Sequence, residues 1–352
     1  MNTEKLTRRD FIRRSLILGC SLLVSPVSLS AKEKRARQWR PAYELLQARG
    51  RLDQRVEAVY AAFEHCELCP RQCGVNRLKG ERGFCRAPAK PVVHSANPHF
   101  GEEISLVGRN GSGTIFFSNC SLRCVFCQNW PIAHEGRGSE IHDRDVAGMM
   151  LRLQNMGCHN INLVTPTHVM PNIVNAVRIA LKQDLRIPLV YNTSGYERSE
   201  VVKLLDGIVD IYLPDMKYTD PGMAAKYSSG AFDYPELSKK AIVEMHGQVG
   251  EHMTDESGIA LRGLMIRHLV MPNRVAGTRA FAKWVSESLG TSTYVNVMPQ
   301  YHVDYEAYEY PEIARGITVQ EFLEAMDWAE QCGLTNLDPR SVAVRDFYAK
   351  RR

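Results

Sequence analysis

Cys120, Cys124 and Cys127 stand in the run Cys-Ser-Leu-Arg-Cys-Val-Phe-Cys, three thiols within eight residues. Thiols this close are poorly placed for structural disulfides, which need particular Cα separations and an even number of partners. Four thiolates would close a metal site, whereas three leave one coordination position free. An iron–sulfur cluster on three cysteines keeps one iron available to bind a substrate directly. A second group follows a different pattern. Cys66, Cys69, Cys73 and Cys85 occur as C-x2-C-x3-C-x11-C, with Gly74, Gly80 and Gly83 letting the backbone wrap closely. Four thiolates around a turn-rich loop suit either structural zinc or a second, fully ligated iron–sulfur cluster. Cys158 and Cys332 lie in apolar surroundings and read as packing thiols.

The elements that must position these groups show in the hydrophobic period. A helical pattern from Glu44 to Glu64 delivers Cys66, and residues 66 to about 110 read as a metal-stapled loop module. Six short apolar strands then alternate with helices: Thr114–Asn119, Asn160–Thr165, Ile187–Thr193, Val209–Leu213, Leu264–Met271 and Tyr294–Val297. The intervening helices are Asp143–Asn155, Asn172–Lys182, Ser199–Leu205, one near 235–247 and Arg279–Ser288. A final helix spans Thr318–Gln331. This alternation describes a parallel sheet with right-handed crossovers. Six units are too few for an eight-stranded barrel, so the expected fold is α/β, an open (β/α)6 partial TIM barrel. In such sheets chemistry gathers at the C-terminal strand ends, and the three-cysteine run follows the first strand immediately.

Composition narrows the class. The chain has 352 residues, 44% hydrophobic and 24% charged, as in an ordinary globular enzyme. Its net charge of +5 includes five Lys/Arg against Glu4 and Asp10 in residues 1–30; removing that +3 leaves 5 − 3 = +2, too little for a nucleic-acid partner. The start, Thr7-Arg8-Arg9-Asp10-Phe11-Ile12-Arg13, resembles a twin-arginine signal. An apolar stretch from Leu16 to Val24 follows it, then Ser28-Leu29-Ser30 with cleavage before Ala31. That predicts a periplasmic protein carried by the twin-arginine translocase, the alternatives being a cytoplasmic protein or one tethered by a retained signal. The expected domains are the signal peptide at 1–30, a helix and four-cysteine module at 31–110, a core at 111–300 and a helical extension at 301–352.

The three-cysteine spacing, with Phe126 before its last cysteine and the (β/α)6 pattern behind it, resembles the radical S-adenosylmethionine (SAM) enzymes. The fuller sequence resembles the branch related to pyruvate formate-lyase-activating enzyme over roughly residues 45–335. The likeness includes Cys-Glu-Leu-Cys-Pro-Arg-Gln-Cys, Cys127-Gln128-Asn129, Val190-Tyr191-Asn192-Thr193-Ser194-Gly195-Tyr196 and Asp210-Ile211-Tyr212-Leu213-Pro214-Asp215-Met216-Lys217. It implies a [4Fe–4S] cluster on Cys120, Cys124 and Cys127 that chelates SAM. One electron would then cleave SAM to a 5′-deoxyadenosyl radical, which abstracts hydrogen from a protein or small-molecule substrate. It further implies a low-potential electron donor of flavodoxin or ferredoxin type. Where many members carry a Gly-Gly-Glu-like run, this chain has Thr165-Pro166-Thr167-His168, which assigns Thr165, Thr167 and His168 to SAM, or His168 to capping and packing. Asn192 and Ser194 match the third strand's SAM contacts. Asp215 and Lys217 match an Asp-x-Lys near the methionine end, or form a surface salt bridge. His302 matches a Leu-Pro-Tyr-His with one residue added. Glu102 and Glu103 either face the site or are solvated. A non-catalytic electron-transfer or cluster-carrier protein is the competing reading; it explains both cysteine groups but leaves the polar strand ends unused.

Overall fold

Every second residue of a buried parallel strand faces the same side, and here that alternation builds both a core and a cavity. The computed structural model describes residues 39–351, so the export signal lies outside the described residues. The strands are β1 (Val92–His99), β2 (Ser112–Phe117), β3 (Ser139–Glu140), β4 (Ile161–Val164), β5 (Leu189–Thr193), β6 (Ile211–Pro214), β7 (Met253–Thr254), β8 (Ala260–Leu269) and β9 (Tyr294–Met298). They join in the order β3-β1-β2-β4-β5-β6-β8-β7, with β9 added to β8. The pairs β2–β4, β4–β5, β5–β6, β6–β8 and β8–β9 are all parallel. These are the six expected strands, and β9 does not pair with β2, so the barrel is open as expected.

On the outer face Ile115, Leu163, Tyr191, Tyr212, Ile266 and Val297 pack against Val146, Met150, Ile173, Val177, Phe281 and Phe322 of the surrounding helices. On the inner face Leu106, Val190, Ile211, Leu213, Met265 and Tyr294 fill the barrel floor. A third apolar group, rich in tyrosine, surrounds the three-cysteine loop: Leu122, Phe126, Tyr196, Tyr218, Tyr227, Tyr234 and Tyr301.

Several expectations change. The helix read over Glu44–Glu64 is two helices, Ala42–Ala48 and Leu52–Tyr60, because Gly50 adopts a left-handed φ of 67° between them. Residues 66–110 are more than a loop module. They include β1, antiparallel to β2, and a turn of helix at Ile104–Val107. A one-sequence pattern scan passes over β1 because its burial does not alternate cleanly and Pro98 interrupts it. The helix Asp143–Asn155 stands where its period places it, opened by a capping box of His142 and Asp145. Thr318 and Glu321 form another box before Val319–Gln331. Pro221–Tyr227 is a helix with no counterpart in the sequence reading, and Pro339–Ala349 lies within the extension read as helical; each opens on an aspartate that accepts from the backbone and carries Pro in its first turn. The last helix folds back onto the barrel, where the Ser341 hydroxyl donates to the Val297 carbonyl at 2.8 Å.

Candidate active site

The chain leaves β2 through Asn119, at φ 75°, and curls again at Arg123, at φ 55°. Both are left-handed positions that bend the backbone into a tight loop. The loop is pinned on several sides: Cys127 N donates to Cys124 O at 3.2 Å, Val125 N to Tyr227 O at 2.9 Å and Glu306 N to Val125 O at 2.9 Å. Two thiols already receive hydrogen bonds, Cys120 from Leu122 N at 3.4 Å and Cys124 from the Ser228 hydroxyl at 3.1 Å. All three cysteines are free and border one cavity of about 590 Å³. Burial pushes the Cys124 thiol up to about 11, against the pull of the Lys217 ammonium. Burial and the neighbouring thiols likewise raise Cys127. Such a set becomes a stable set of thiolates only when a positive metal centre offsets the charge. The donor set therefore fits an iron–sulfur cluster.

The cavity opens at the C-terminal ends of the strands. Registers Phe116↔Val164↔Asn192 and Arg267↔Asn296 put these residues on the inner face together. Of the residues singled out in the sequence, Phe126, Thr165, Asn192, Ser194, Asp215, Lys217 and His302 border this cavity with the three cysteines. Phe126 sits between Tyr218 and Tyr301, ring centroids 6.2 and 5.9 Å away. Lys217 Nζ donates to Asp215 Oδ2 at 2.6 Å, with both side chains largely buried, so this is not a surface pair. Burial works against the Lys217 charge, but Asp215 and Cys124 outweigh it and its pKa is raised.

Thr167 and His168 are placed elsewhere. The Thr167 hydroxyl donates to Glu197 Oε1 at 2.6 Å, and His168 Nε2 lies 2.7 Å from Ser118 O. Arg77 Nη1 donates to His168 O at 2.6 Å. Burial and the Arg77 charge lower the His168 pKa to about 3, so its imidazole is neutral. These two residues lock the end of β4 to its neighbours; the short helix Thr167–Val169 turns their side chains away from the rim. The packing alternative for His168 is the one the geometry favours.

Of the two alternatives for Glu102 and Glu103, the structure has them lining the cavity rather than solvated, on a far wall they share with Arg267, to which the sequence reading gave no role. Arg267, on the inner face of β8, donates from Nε to Glu103 Oε1 at 2.7 Å and from Nη2 to Glu103 Oε2 at 2.6 Å, and also bonds Glu102. Asn296 Nδ2 donates to Glu103 Oε1 at 2.8 Å. Glu102 and Glu103 are buried, on the segment that crosses the open side of the barrel from β1 to β2. Although burial opposes ionisation, Arg267 holds Glu102 down at about 2 and Glu103 below the usual carboxylate range. The signal was Arg267 itself: an arginine inside an apolar parallel strand needs polar partners across the barrel.

The four-cysteine group wraps the outside of the same loop. Cys66 N donates to Val75 O and Gly74 N to Cys66 O, both at 3.0 Å. Phe84 N donates to Cys73 Sγ at 3.2 Å. At Gly83 a Cβ would lie 2.7 Å from the Cys73 sulfur, so only glycine allows this approach. Arg77 is 2% exposed and all its hydrogen bonds go to carbonyls, of Pro88 and His168. Its charge bears on Cys85, which supplies the natural counter-charge once ionised. Arg71 joins the two groups: Nε donates to Ser121 O at 3.0 Å, Nη1 to Ser229 O at 3.0 Å and Nη2 to Ser228 O at 3.2 Å. Among the described residues no three His, Cys, Asp or Glu side chains converge on a single-ion site.

Comparison with known proteins agrees with the loop. Residues 114–233 match the model of the Radical SAM superfamily. An uncharacterized protein of Methanocaldococcus jannaschii, MJ0674, is 33% identical over 293 residues, covering 80% of this chain and 79% of that protein. Among solved structures, HydG, a maturase of the [FeFe]-hydrogenase, aligns with a TM-score of 0.43 and 13% identity over 62% of this chain, which spans about half (49%) of HydG. TYW1 with a lysine-pyruvate adduct bound aligns with a TM-score of 0.41 and 8% identity over 62% of this chain and 73% of its own.

Proposed function

Because the chain belongs to the radical SAM superfamily, we propose that it holds a [4Fe–4S] cluster on Cys120, Cys124 and Cys127 and binds SAM beside it to abstract hydrogen from a substrate. When bound, the cluster and SAM supply one-electron cleavage of the sulfonium C5′–S bond, giving methionine and a 5′-deoxyadenosyl radical. The protein's share is to bind, orient and exclude water. Asp215 and Lys217 offer one charge of each sign to the zwitterionic methionine end, within the wall that carries the cysteines. Asn192, Ser194 and Thr165 present amide and hydroxyl groups from the ends of β5 and β4. Phe126, Tyr218 and Tyr301 pack as one aromatic group against the loop and limit water there.

The observation that carries this reading is the shared cavity: three thiols and the ends of β4, β5, β6, β8 and β9 border one space. A carrier of clusters or electrons has no use for such a space. At about 590 Å³ it has room for one ligand of drug size and little more. The substrate therefore enters as a small molecule or as an extended protein segment, consistent with an activating enzyme that reaches a residue on a partner. The chain's four-cysteine group precedes the barrel, and it takes zinc or a second cluster. Residues 1–30 support twin-arginine export to the periplasm, tested by fractionation; an unprocessed cytoplasmic protein would refute it.

The function is tested by anaerobic reconstitution with iron and sulfide, then SAM and dithionite. 5′-Deoxyadenosine should form in the native chain and fall to background in Cys124→Ala. An iron-loaded native chain that yields none belongs to the carrier reading. Metal analysis of a Cys120/Cys124/Cys127 triple alanine variant reports on the other group: zinc alone excludes a second cluster, and residual iron excludes zinc.

A further inference from the structure

Charge is unevenly spread along this chain. Residues 71–90 hold Arg71, Arg77, Lys79, Arg82, Arg86 and Lys90 against Glu81 alone, 6 − 1 = +5, as much as the whole protein. Arg77 is buried, but Lys79, Arg82 and Arg86 are exposed. Among the described residues no ion pair neutralises these three; Arg82 Nη1 donates only to Arg86 O, at 3.0 Å. Leu78, 54% exposed, and Phe84, 36% exposed, add apolar surface among them. A basic rim around a small apolar centre is the composition of a transient, electrostatically steered protein interface.

Both cysteine groups lie directly beneath this face. The Phe84 N–H donates to Cys73 Sγ at 3.2 Å. The Phe84 ring lies under the Arg71 guanidinium at 4.0 Å, with Arg123 at 5.9 Å. Arg71 in turn bonds the Ser121 carbonyl, between Cys120 and Cys124. Phe84 thus links solvent to the four-cysteine group through its backbone N–H, and to the three-cysteine loop through its ring and one guanidinium.

We propose that Lys79, Arg82, Phe84, Arg86 and Arg123 form the docking face for a small acidic one-electron carrier protein. Electrons cross there to the three-cysteine centre. The proposal rests on the reading of that centre as an iron–sulfur cluster. In the step the carrier is oxidised by one electron and the cluster is reduced by one; no atom is transferred. Charge complementarity selects an acidic partner, and the cysteines beneath select an electron carrier over a nucleic acid.

The test uses the full chain, loaded anaerobically with iron and sulfide and kept free of SAM. Cluster reduction is followed by bleaching and by its paramagnetic signal, with reduced flavodoxin or with dithionite as donor. Charge reversal in Lys79→Glu/Arg82→Glu/Arg86→Glu should slow flavodoxin-driven reduction about tenfold or more and weaken or invert its salt dependence. Dithionite-driven reduction and iron content should stay unchanged. The neutral variant Lys79→Gln/Arg82→Gln/Arg86→Gln should fall between and guards against misfolding of the reversed one. Equal flavodoxin rates in native and neutral variants would overturn the proposal. So would an equal slowing with dithionite, or a variant that loses only retention on immobilised nucleic acid. Because SAM is absent, failure of SAM cleavage registers separately, as reduction without 5′-deoxyadenosine.

Discussion

Arg71 spends all three of its donor nitrogens on carbonyls of two segments, residue 121 in the three-cysteine loop and residues 228–229, whose Ser228 hydroxyl serves Cys124. Arg71→Ala leaves those carbonyls unpaired at a cost of about 2–3 kcal/mol. Iron retained at the three-cysteine site should fall with it. Arg71→Lys should recover only part of that iron, since an ammonium cannot span three acceptors set in a fork. Equal iron in all three proteins would show that the clamp is not needed. At the far wall, Glu103→Ala removes the bidentate partner of a buried guanidinium and should lower stability by about 3 kcal/mol in denaturant titrations. Glu102 next to it is held at about 2, so its contribution is complete above its ordinary value near 4.5 and is lost as pH falls through 2.

At the scale of elements, β5 and β6 end beside each other only because residue 195 lacks a side chain. Gly195 has φ 77°, and a Cβ there would lie 2.1 Å from the Asp215 carbonyl oxygen. Gly195→Ala must therefore push apart the strand ends that carry Asn192, Ser194 and Asp215. We expect a loss of about 3 kcal/mol or more and abolished SAM binding in calorimetry. Gly230→Ala is the control: its φ is 75° but nothing lies within 4 Å, so it should cost about 1 kcal/mol and leave binding intact. Similar losses in both would mean backbone strain alone, not the crowded strand ends, is responsible. The segment from β1 to β2 has an equally direct role. It crosses the gap of the open barrel and brings Glu103 to β8 and β9, tying the two sides that no strand pair joins.

For the whole molecule, two buried acids set a pH trend, Asp210 and Glu197, each pushed up to about 7 by burial. At Glu197, hydrogen bonds from Thr167 and Thr193 pull the other way. Its second oxygen has no partner, a position that suits a protonated carboxyl better than a carboxylate. A carboxyl whose folded value is raised destabilises the fold as it ionises. Stability should be greatest below about 4.5 as far as Glu197 is concerned and should decline as pH rises through 7. Glu197→Gln should lessen that decline between pH 6 and 8, measured as Tm, and leave the share that belongs to Asp210; an unchanged slope would assign the whole trend to Asp210.

Much of this was legible in the residues. The C-x3-C-x2-C spacing, the six apolar strands and the turns after them need only local rules, because strand period and thiol spacing are properties of adjacent residues. The sequence by itself therefore determined the fold class and the loop that bears the cysteines, and it picked Asn192, Ser194, Asp215 and Lys217, whose positions follow directly from the strands that end there. Thr167 and His168 lie just as near a strand end, yet a single turn of helix aims them into the packing. Arg267 is more than 160 residues from Glu102 and Glu103 in the chain, and their meeting depends on barrel curvature and on the segment crossing its gap. The link from Phe84 through Arg71 to Ser121 likewise exists only once the four-cysteine module is laid over the barrel rim. Only the tertiary structure decided these, because the free energy of a buried charge depends on which groups the fold brings within a few ångströms of it.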